Sequence, residues 1–356
     1  MSHPLSEQEQ LEIIKEVEEK YSKFLDPNFD ASIFLECRDN FALTEHIESV
    51  RIFEMDHTPV NPIFTIAIPT YNRCETLKEA IDSALNQDTD EKYEIIVVEN
   101  VDDFDTKTPA QEMLEREYDN ARGGGGLITY YKNKQNLGMF GNWNRCLTLA
   151  KGEWVCILHS DDMITPNYIE EMKKTINLLR EKKPILLGNL ENKKMINQNL
   201  DNCSEHGVFI IFPPNATLHY REKIIEFGGY NQDEYPMADT FFFNRMYTRG
   251  NIFILQKQLQ HKRSEISEYF QPKTLLIYCF FGVAFILKHY QPKWYAKHQA
   301  YFYVQIYRNL LSSYQYLTSF IDLSLLNNNP KIQKPSLCDK IVRKIEYLIT
   351  KKIRGR

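Results

Sequence analysis

From residue 62 to about residue 180 the chain alternates short apolar strands with amphipathic helices, and that alternation excludes most folds at once. Phe64-Thr-Ile-Ala-Ile68 is a strand stopped by Pro69, and Leu77, Ala80, Ile81, Ala84 and Leu85 then recur at helical spacing. Tyr93 to Val98 is a second strand. Thr108-Pro109-Ala110-Gln111 supplies an N-cap, a first-position proline and a capping-box glutamine, which open a second helix. A third strand, Leu127 to Lys132, follows the tetraglycine Gly123–Gly126, read as a flexible loop. A third helix runs from Met139 to Ala150, with Gly152 placed as its C-cap. The strand beginning at Trp154 is the fourth.

Strand–helix alternation of this kind predicts an α/β fold, a mostly parallel sheet with helices on both faces and right-handed crossovers. The usual doubly wound order places the four strands as 3-2-1-4, with the switch point between the first and the fourth. Ligands then bind at the carboxyl ends of those strands, so Pro69-Thr70-Tyr71-Asn72 and Asp161-Asp162 are expected on opposite lips of one crevice. The adjacent acids either shape a strand-to-helix turn or hold a divalent cation that carries a phosphorylated substrate. Thr165 and Pro166 suit the N-cap and first position of the next helix, whose stripe is Ile169, Met172, Ile176 and Leu179.

The Rossmann dinucleotide fingerprint needs glycines after the first strand, and Pro69-Thr-Tyr-Asn-Arg-Cys74 has none; no P-loop run occurs either. Phosphate must therefore be held by side chains and metal. A net charge of −5 argues against general nucleic-acid binding. The seven cysteines form no CxxC pair, which points to a reducing compartment. The N-terminus lacks a basic-then-apolar signal pattern, and the longest apolar run, Leu275 to Leu287, is shorter than the roughly 17–25 residues a bilayer span requires. A cytoplasmic protein is expected.

Six ordered motifs between residues 62 and 265 resemble the family-two glycosyltransferases of the GT-A, Rossmann-like fold. They are Thr65-Ile-Ala-Ile-Pro-Thr-Tyr-Asn-Arg73, Glu94-Ile-Ile-Val-Val-Glu-Asn100, Asn136-Leu-Gly with Asn142 and Asn144, Ala150-Lys-Gly-Glu-Trp154, Ser160-Asp-Asp162, and Gly228-Gly-Tyr with Ala238-Asp239. The resemblance implies an inverting transfer of sugar from a nucleoside diphosphate donor, a UDP-sugar, to a glycan hydroxyl. It implies that Pro69, Thr70 and Tyr71 line the uridine pocket. Asn100 stands at a base- or ribose-contacting position where this family often has Asp-Asp. Asp161 is then expected near the ribose and Asp162 on Mn²⁺ or Mg²⁺, with Asp239 as general base and Asp233 or Glu234 as weaker alternatives. His261 lies where many GT-A enzymes place a metal or diphosphate contact. Arg73 and Arg145 either approach the diphosphate or make surface ion pairs, and His159 faces either the site or the core.

Three regions follow: a helical extension over 1–60, a catalytic domain over 61–270, and a helical region over 271–356. In the extension, Leu11, Ile14, Val17, Tyr21 and Phe24 fit a helical stripe. In the last region, Thr274 to Leu287 reads as a buried helix or a surface dipping into lipid. Residues 339–356 read as a basic amphipathic helix suited to an anionic membrane surface or packed on the catalytic domain. An enzyme on the inner membrane face acting on a lipid-linked glycan, or on a protein-bound one, fits these ends. The competing readings are a sugar-phosphate nucleotidyltransferase, which would want more basic residues after the first strand, and a non-catalytic sugar-nucleotide-binding scaffold.

Overall fold

The computed structural model describes residues 5–26, 28–56, 59, 61–119, 128–189, 214–255, 257–263, 271–289, 294–327, 334 and 336. In chain order its principal elements begin with α1 (Glu7–Tyr21), β1 (Ser49–Phe53), β2 (Phe64–Thr70), α2 (Glu75–Leu85), β3 (Tyr93–Glu99) and α3 (Pro109–Glu117). They continue with β4 (Thr129–Asn133), α4 (Gly138–Leu149), β5 (Trp154–Ile157), β6 (Met163–Ile164), α5 (Tyr168–Leu178) and β7 (Pro184–Asn189). Next come β8 (Thr217–Tyr220), α6 (Arg221–Glu226), α7 (Ala238–Tyr247), β9 (Asn251–Leu255) and β10 (Gln260–His261). The last are α8 (Pro272–His289), α9 (Trp294–Leu310) and α10 (Gln315–Ile321).

The chain divides into two compact units, one of residues 35–266 and one formed by 1–34 with 267–356. The segment 1–60 is thus split, its first helix grouping with the C-terminal helices and β1 with the sheet.

In the larger unit the sheet order is β1-β4-β3-β2-β5-β8-β7-β9. Its β4-β3-β2-β5 portion is the expected 3-2-1-4 order, and β2 pairs in parallel with both β3 and β5. All seven residues of β2 are buried. Ile66 and Ile68 join a core containing Leu77 of α2, Leu114 of α3 and Ile169 of α5. Ala67 faces the opposite core, with Phe140 and Trp143 of α4 and Phe242 of α7. Each fully buried aliphatic or aromatic side chain contributes about 1.5–3 kcal/mol, so a strand covered on both faces is locked in register. β8 then runs antiparallel to β5 and β7, and β1 antiparallel to β4. These reversals extend the parallel core.

Local details depart from the sequence expectation in three places. α5 begins after Asn167, because the Thr165 hydroxyl donates to Asn167 Oδ1 and Thr165 and Pro166 lie in the approach to the helix. Thr108 caps α3 by accepting from the Gln111 amide at 3.0 Å, but the Gln111 side chain donates to Glu115 instead of closing a capping box. Gly152 is not the C-cap of α4, which is Ala150 in an extended conformation. Its role is close approach, since a Cβ there would sit 2.6 Å from the Thr65 backbone nitrogen.

In the smaller unit, Ser6 and Glu9 close a capping box at the start of α1. Tyr21, Phe24 and Phe34 pack around Phe281 of α8, with ring centroids 4.5–5.6 Å apart. Leu275, Leu276, Ile277, Phe280, Phe281 and Val283 are buried, so this apolar run forms a protein core. No helix among the described residues is long and apolar enough to cross a membrane. The tetraglycine 123–126, the tail 339–356 and residues 190–213 lie outside the described residues.

Candidate active site

The carboxyl ends of β4, β3, β2 and β5 form one continuous rim, and the sequence places its polar residues there. After β2 the backbone turns at Asn72, which adopts a left-handed φ of 51° that asparagine tolerates well. Thr70 is 3% exposed, and its hydroxyl has no hydrogen-bond partner among the described residues. Tyr71 is 41% exposed at the mouth. Arg73 reaches across to Asp161, Nη2 to Oδ2 at 3.6 Å.

At the end of β3, Asn100 turns inward. Its Oδ1 accepts from Asn133 Nδ2 at 2.8 Å and from the Leu137 amide at 3.2 Å, while its Nδ2 donates to the Gly138 carbonyl at 3.0 Å. Asn133 also donates to Asn142, which donates to the Val98 carbonyl. This buried amide network joins the ends of β3 and β4 to α4. Glu99 is likewise engaged, by Thr108 and Tyr130, and burial raises its pKa.

Beyond β5 the chain presents His159, Asp161 and Asp162, whose candidate ligand atoms lie within 4.8 Å of one another. Asp162 is 2% exposed, and its Oδ1 accepts from the Arg263 backbone amide at 2.7 Å. That bond exists because β10 pairs with β6 and delivers residues 260–263 to the rim. Burial pushes the Asp162 pKa up to about 6 against the pull of the Arg263 amide. Burial also takes His159 down to about 4, which leaves a neutral imidazole at neutral pH, and its Nε2 is buried without a partner among the described residues. Two carboxylates and a neutral imidazole, whose Nδ1 lies 3.9 Å from Asp162 Oδ2, are a donor set suited to Mn²⁺.

Asp239 lies in the first turn of α7, where its Oδ1 accepts from the Thr240 amide at 2.6 Å and from the Thr240 hydroxyl at 3.3 Å. Burial raises its pKa to about 6 as well, with the Lys262 charge opposing. Lys262 also acts electrostatically on Asp162 and His159, so this lysine serves all three groups. Glu234 is spent on a buried ion pair, both oxygens 2.8 Å from Arg245 Nη1, whereas Asp233 is exposed. The glycines of Gly228-Gly-Tyr are structural: Gly228 has φ 84°, and a Cβ there would lie 1.8 Å from the Arg38 carbonyl oxygen.

Two expected residues sit elsewhere. His261 pairs across from Met163 and lines a cavity of about 510 Å³ with Glu79, Asp82, Ser83 and Asn86 of the α2 region, without belonging to the three-residue cluster. The Arg145 guanidinium donates to Ser49 Oγ and the Thr44 carbonyl, which ties β1 and its approach to α4. Sequence reasoning passed over Asp102 and Lys262. Asp102 carried a signal in being one of two acids just after the second strand; Lys262 was visible only as part of a basic triplet.

A mostly parallel sheet with acids gathered at its switch point defines an α/β enzyme that binds its substrate across the strand ends. Residues 65–253, just over half of the chain, match Glycosyl transferase family 2, and the protein belongs to that family of glycosyltransferases. An uncharacterised glycosyltransferase of Methanocaldococcus jannaschii is 32% identical over 122 residues, covering 34% of this chain and 38% of that one. The GalNAc(5)-diNAcBac-PP-undecaprenol beta-1,3-glucosyltransferase of Campylobacter jejuni is 26% identical over 230 residues, 61% of this chain and 68% of that one. The mannosyltransferase of Pyrobaculum calidifontis, solved with GDP-Man and Mn²⁺, shares the fold at a TM-score of 0.52 and 14% identity, covering 96% of this chain and 91% of that one.

Proposed function

We propose that this glycosyltransferase moves a sugar from a UDP-sugar to a hydroxyl of a glycan acceptor by a single displacement that inverts the anomeric carbon. The observation carrying this reading is a pair of carboxylates, the buried Asp162 and the half-buried Asp239, which are far apart in sequence and share the influence of Lys262. Asp161, Asp162 and His159 would hold Mn²⁺ or Mg²⁺. The ion, when bound, supplies positive charge to the diphosphate leaving group. Thr70 and Tyr71 position the nucleoside beside β2, and Arg73 holds Asp161 while presenting cationic charge to the phosphates. Asp239 takes the proton of the acceptor hydroxyl; a carboxylate with a pKa near 6 is a better base than an exposed aspartate and remains ionised at neutral pH. No enzyme nucleophile is needed.

The acceptor is a lipid-linked glycan in this reading, supported by the Campylobacter relative, whose name specifies a polyprenyl diphosphate-linked substrate. The basic tail 339–356 would bring the protein to the anionic cytoplasmic membrane face where such an acceptor lies. A mass-spectrometric screen of nucleotide sugars with Mn²⁺ tests the donor: UDP-sugar hydrolysis or transfer is expected, and neither turnover nor binding of any nucleotide sugar refutes the reading.

A further inference from the structure

Past the end of β5 the backbone amide of His159 has left the strand ladder, and a side chain takes it: Asn215 Oδ1 accepts at 3.0 Å. Asn215 is buried on the approach to β8, and its other amide atom, Nδ2, donates to Gln260 Oε1 of β10. Gln260 Nε2 in turn donates to the Asn189 carbonyl at 3.0 Å, and Asn189 Oδ1 accepts from the Leu259 amide at 3.3 Å. Amide side chains from the ends of β7, β8 and β10 thus form one chain of hydrogen bonds that finishes on the loop carrying His159, Asp161 and Asp162. The backbone that aims Asn215 is itself constrained. Ala216 has a left-handed φ of 49°, unfavourable for a residue with a Cβ, and its carbonyl accepts from the Tyr168 hydroxyl at 2.8 Å and from Asn189 Nδ2 at 3.1 Å.

We infer that Asn215 is a positioning residue for the metal site: its amide brackets the His159 backbone and Gln260, and so keeps the Arg263 amide on Asp162. The inference rests on the reading of His159, Asp161 and Asp162 as that site. An amide is the side chain the position needs. One of its atoms accepts from His159 and the other donates to Gln260, whereas a carboxylate has no N–H to give and alanine has neither group.

Other attachments of the β10 segment are weak. β10 and β6 pair over two residues each, a ladder too short to fix a segment without side-chain support. The Thr165 amide adds one bond to the Leu259 carbonyl, at 3.0 Å. Arg263 also pairs with Glu79 of α2, but both side chains are partly exposed and such a pair holds little. Just past Gln260, the Arg263 amide donates to Asp162 Oδ1 at 2.7 Å. With that oxygen engaged, Asp162 points Oδ2 toward His159 Nδ1, 3.9 Å away. Opening the bracket releases both sides of this gap, the His159 backbone on the β5 side and the Arg263 amide on the β10 side.

The test is binding of Mn²⁺ alone to the full chain, followed by loss of the free-ion EPR signal, for the wild type, Asn215→Ala, Gln260→Ala and the double variant. Hydrogen exchange at the Arg263 amide is measured on the same proteins without metal. Each single variant is expected to bind Mn²⁺ about tenfold more weakly, as when a group that orients a metal ligand is removed. The double variant should bind no more weakly than the weaker single one, because either substitution opens the same bracket. The Arg263 amide should exchange about tenfold faster in both single variants. Lower unfolding midpoints with unchanged Mn²⁺ affinity and unchanged Arg263 exchange would show a merely structural role and overturn the inference. Losses of affinity that multiply in the double variant would overturn it too, and both results leave the metal reading standing. No Mn²⁺ bound by the wild type would refute the metal reading itself, and the inference with it. Should Asn215→Ala fail to fold, Gln260→Ala, at a half-buried position, decides alone.

Discussion

Asp162 and Asp239 carry the same shift, to about 6 in each, yet are held in opposite ways. Asp162 takes the backbone amide of a residue 101 positions away, on a segment zipped to β6, and its neighbours are a second carboxylate and a neutral imidazole. Asp239 takes the amide and hydroxyl of the very next residue, on a helix whose approach is fixed by the buried Glu234–Arg245 pair. One carboxylate is assembled by long-range chain contacts beside other ligand atoms, and the other is carried alone on a local element. Similar burial effects thus accompany unlike settings, which suit the proposed roles, a cation site for the first and a proton acceptor for the second.

The largest expected effect separates those tasks. Asp239→Asn should lower kcat about 10³-fold, within the range for loss of a general base, while donor binding with Mn²⁺ stays near the wild-type value. Asp162→Asn should instead abolish Mn²⁺-dependent donor binding, measured by calorimetry with UDP. Identical phenotypes for the two variants would erase the division of labour. Next in size is the ion pair behind Asp239: Glu234→Gln leaves Arg245 charged and buried, and should cost about 3–5 kcal/mol in denaturant unfolding. A loss below about 1 kcal/mol would mean that water or another group replaces the carboxylate.

The pH dependence sharpens the same contrast. Asp239 titrates higher in the folded chain than its usual value of 3.8, so between about 4 and 6 the folded state binds more proton than the unfolded. Its contribution to stability therefore declines as pH rises through that window, whereas its competence as a base increases. At saturating Mn²⁺, where bound metal keeps Asp162 ionised, kcat/KM should rise about tenfold per pH unit up to about 6 and then level. A limb of unchanged midpoint in the residual activity of Asp239→Asn would assign it to another group.

Much of this was legible in the chain. Alternating patterns and the carboxyl-end rule located β4-β3-β2-β5 and the rim with Asp161-Asp162, because strands buried on both faces write continuous apolar runs. The reversals at β1 and β8 were not legible, since short antiparallel strands carry no connection signal of their own. Asn100 shows the sharper limit. Its type and position suit a ligand contact, but Asn133 and Leu137, both distant in sequence, claim its carbonyl. Lys262 reaches the rim only because β10 lies against β6, a pairing of two-residue strands that no pattern announces.

The two histidines give the smallest and most discriminating comparison. His159 lies within the cluster, with its ring 4.9 Å from that of Trp143 and its Nε2 orphaned. His261 is exposed and lines the cavity beside Glu79 and Asp82. His159→Gln preserves a polar atom in place of the imidazole but weakens the donor set, so half-maximal activity should need about tenfold more Mn²⁺. His261→Ala removes an exposed side chain that is not part of that set and should stay within about twofold of wild type. The reverse result, a metal requirement moved by His261 and not by His159, would mean that the β10 segment refolds to bring His261 onto the donor. The hydrogen bond from the Arg263 amide to Asp162 would then describe only the ligand-free rim.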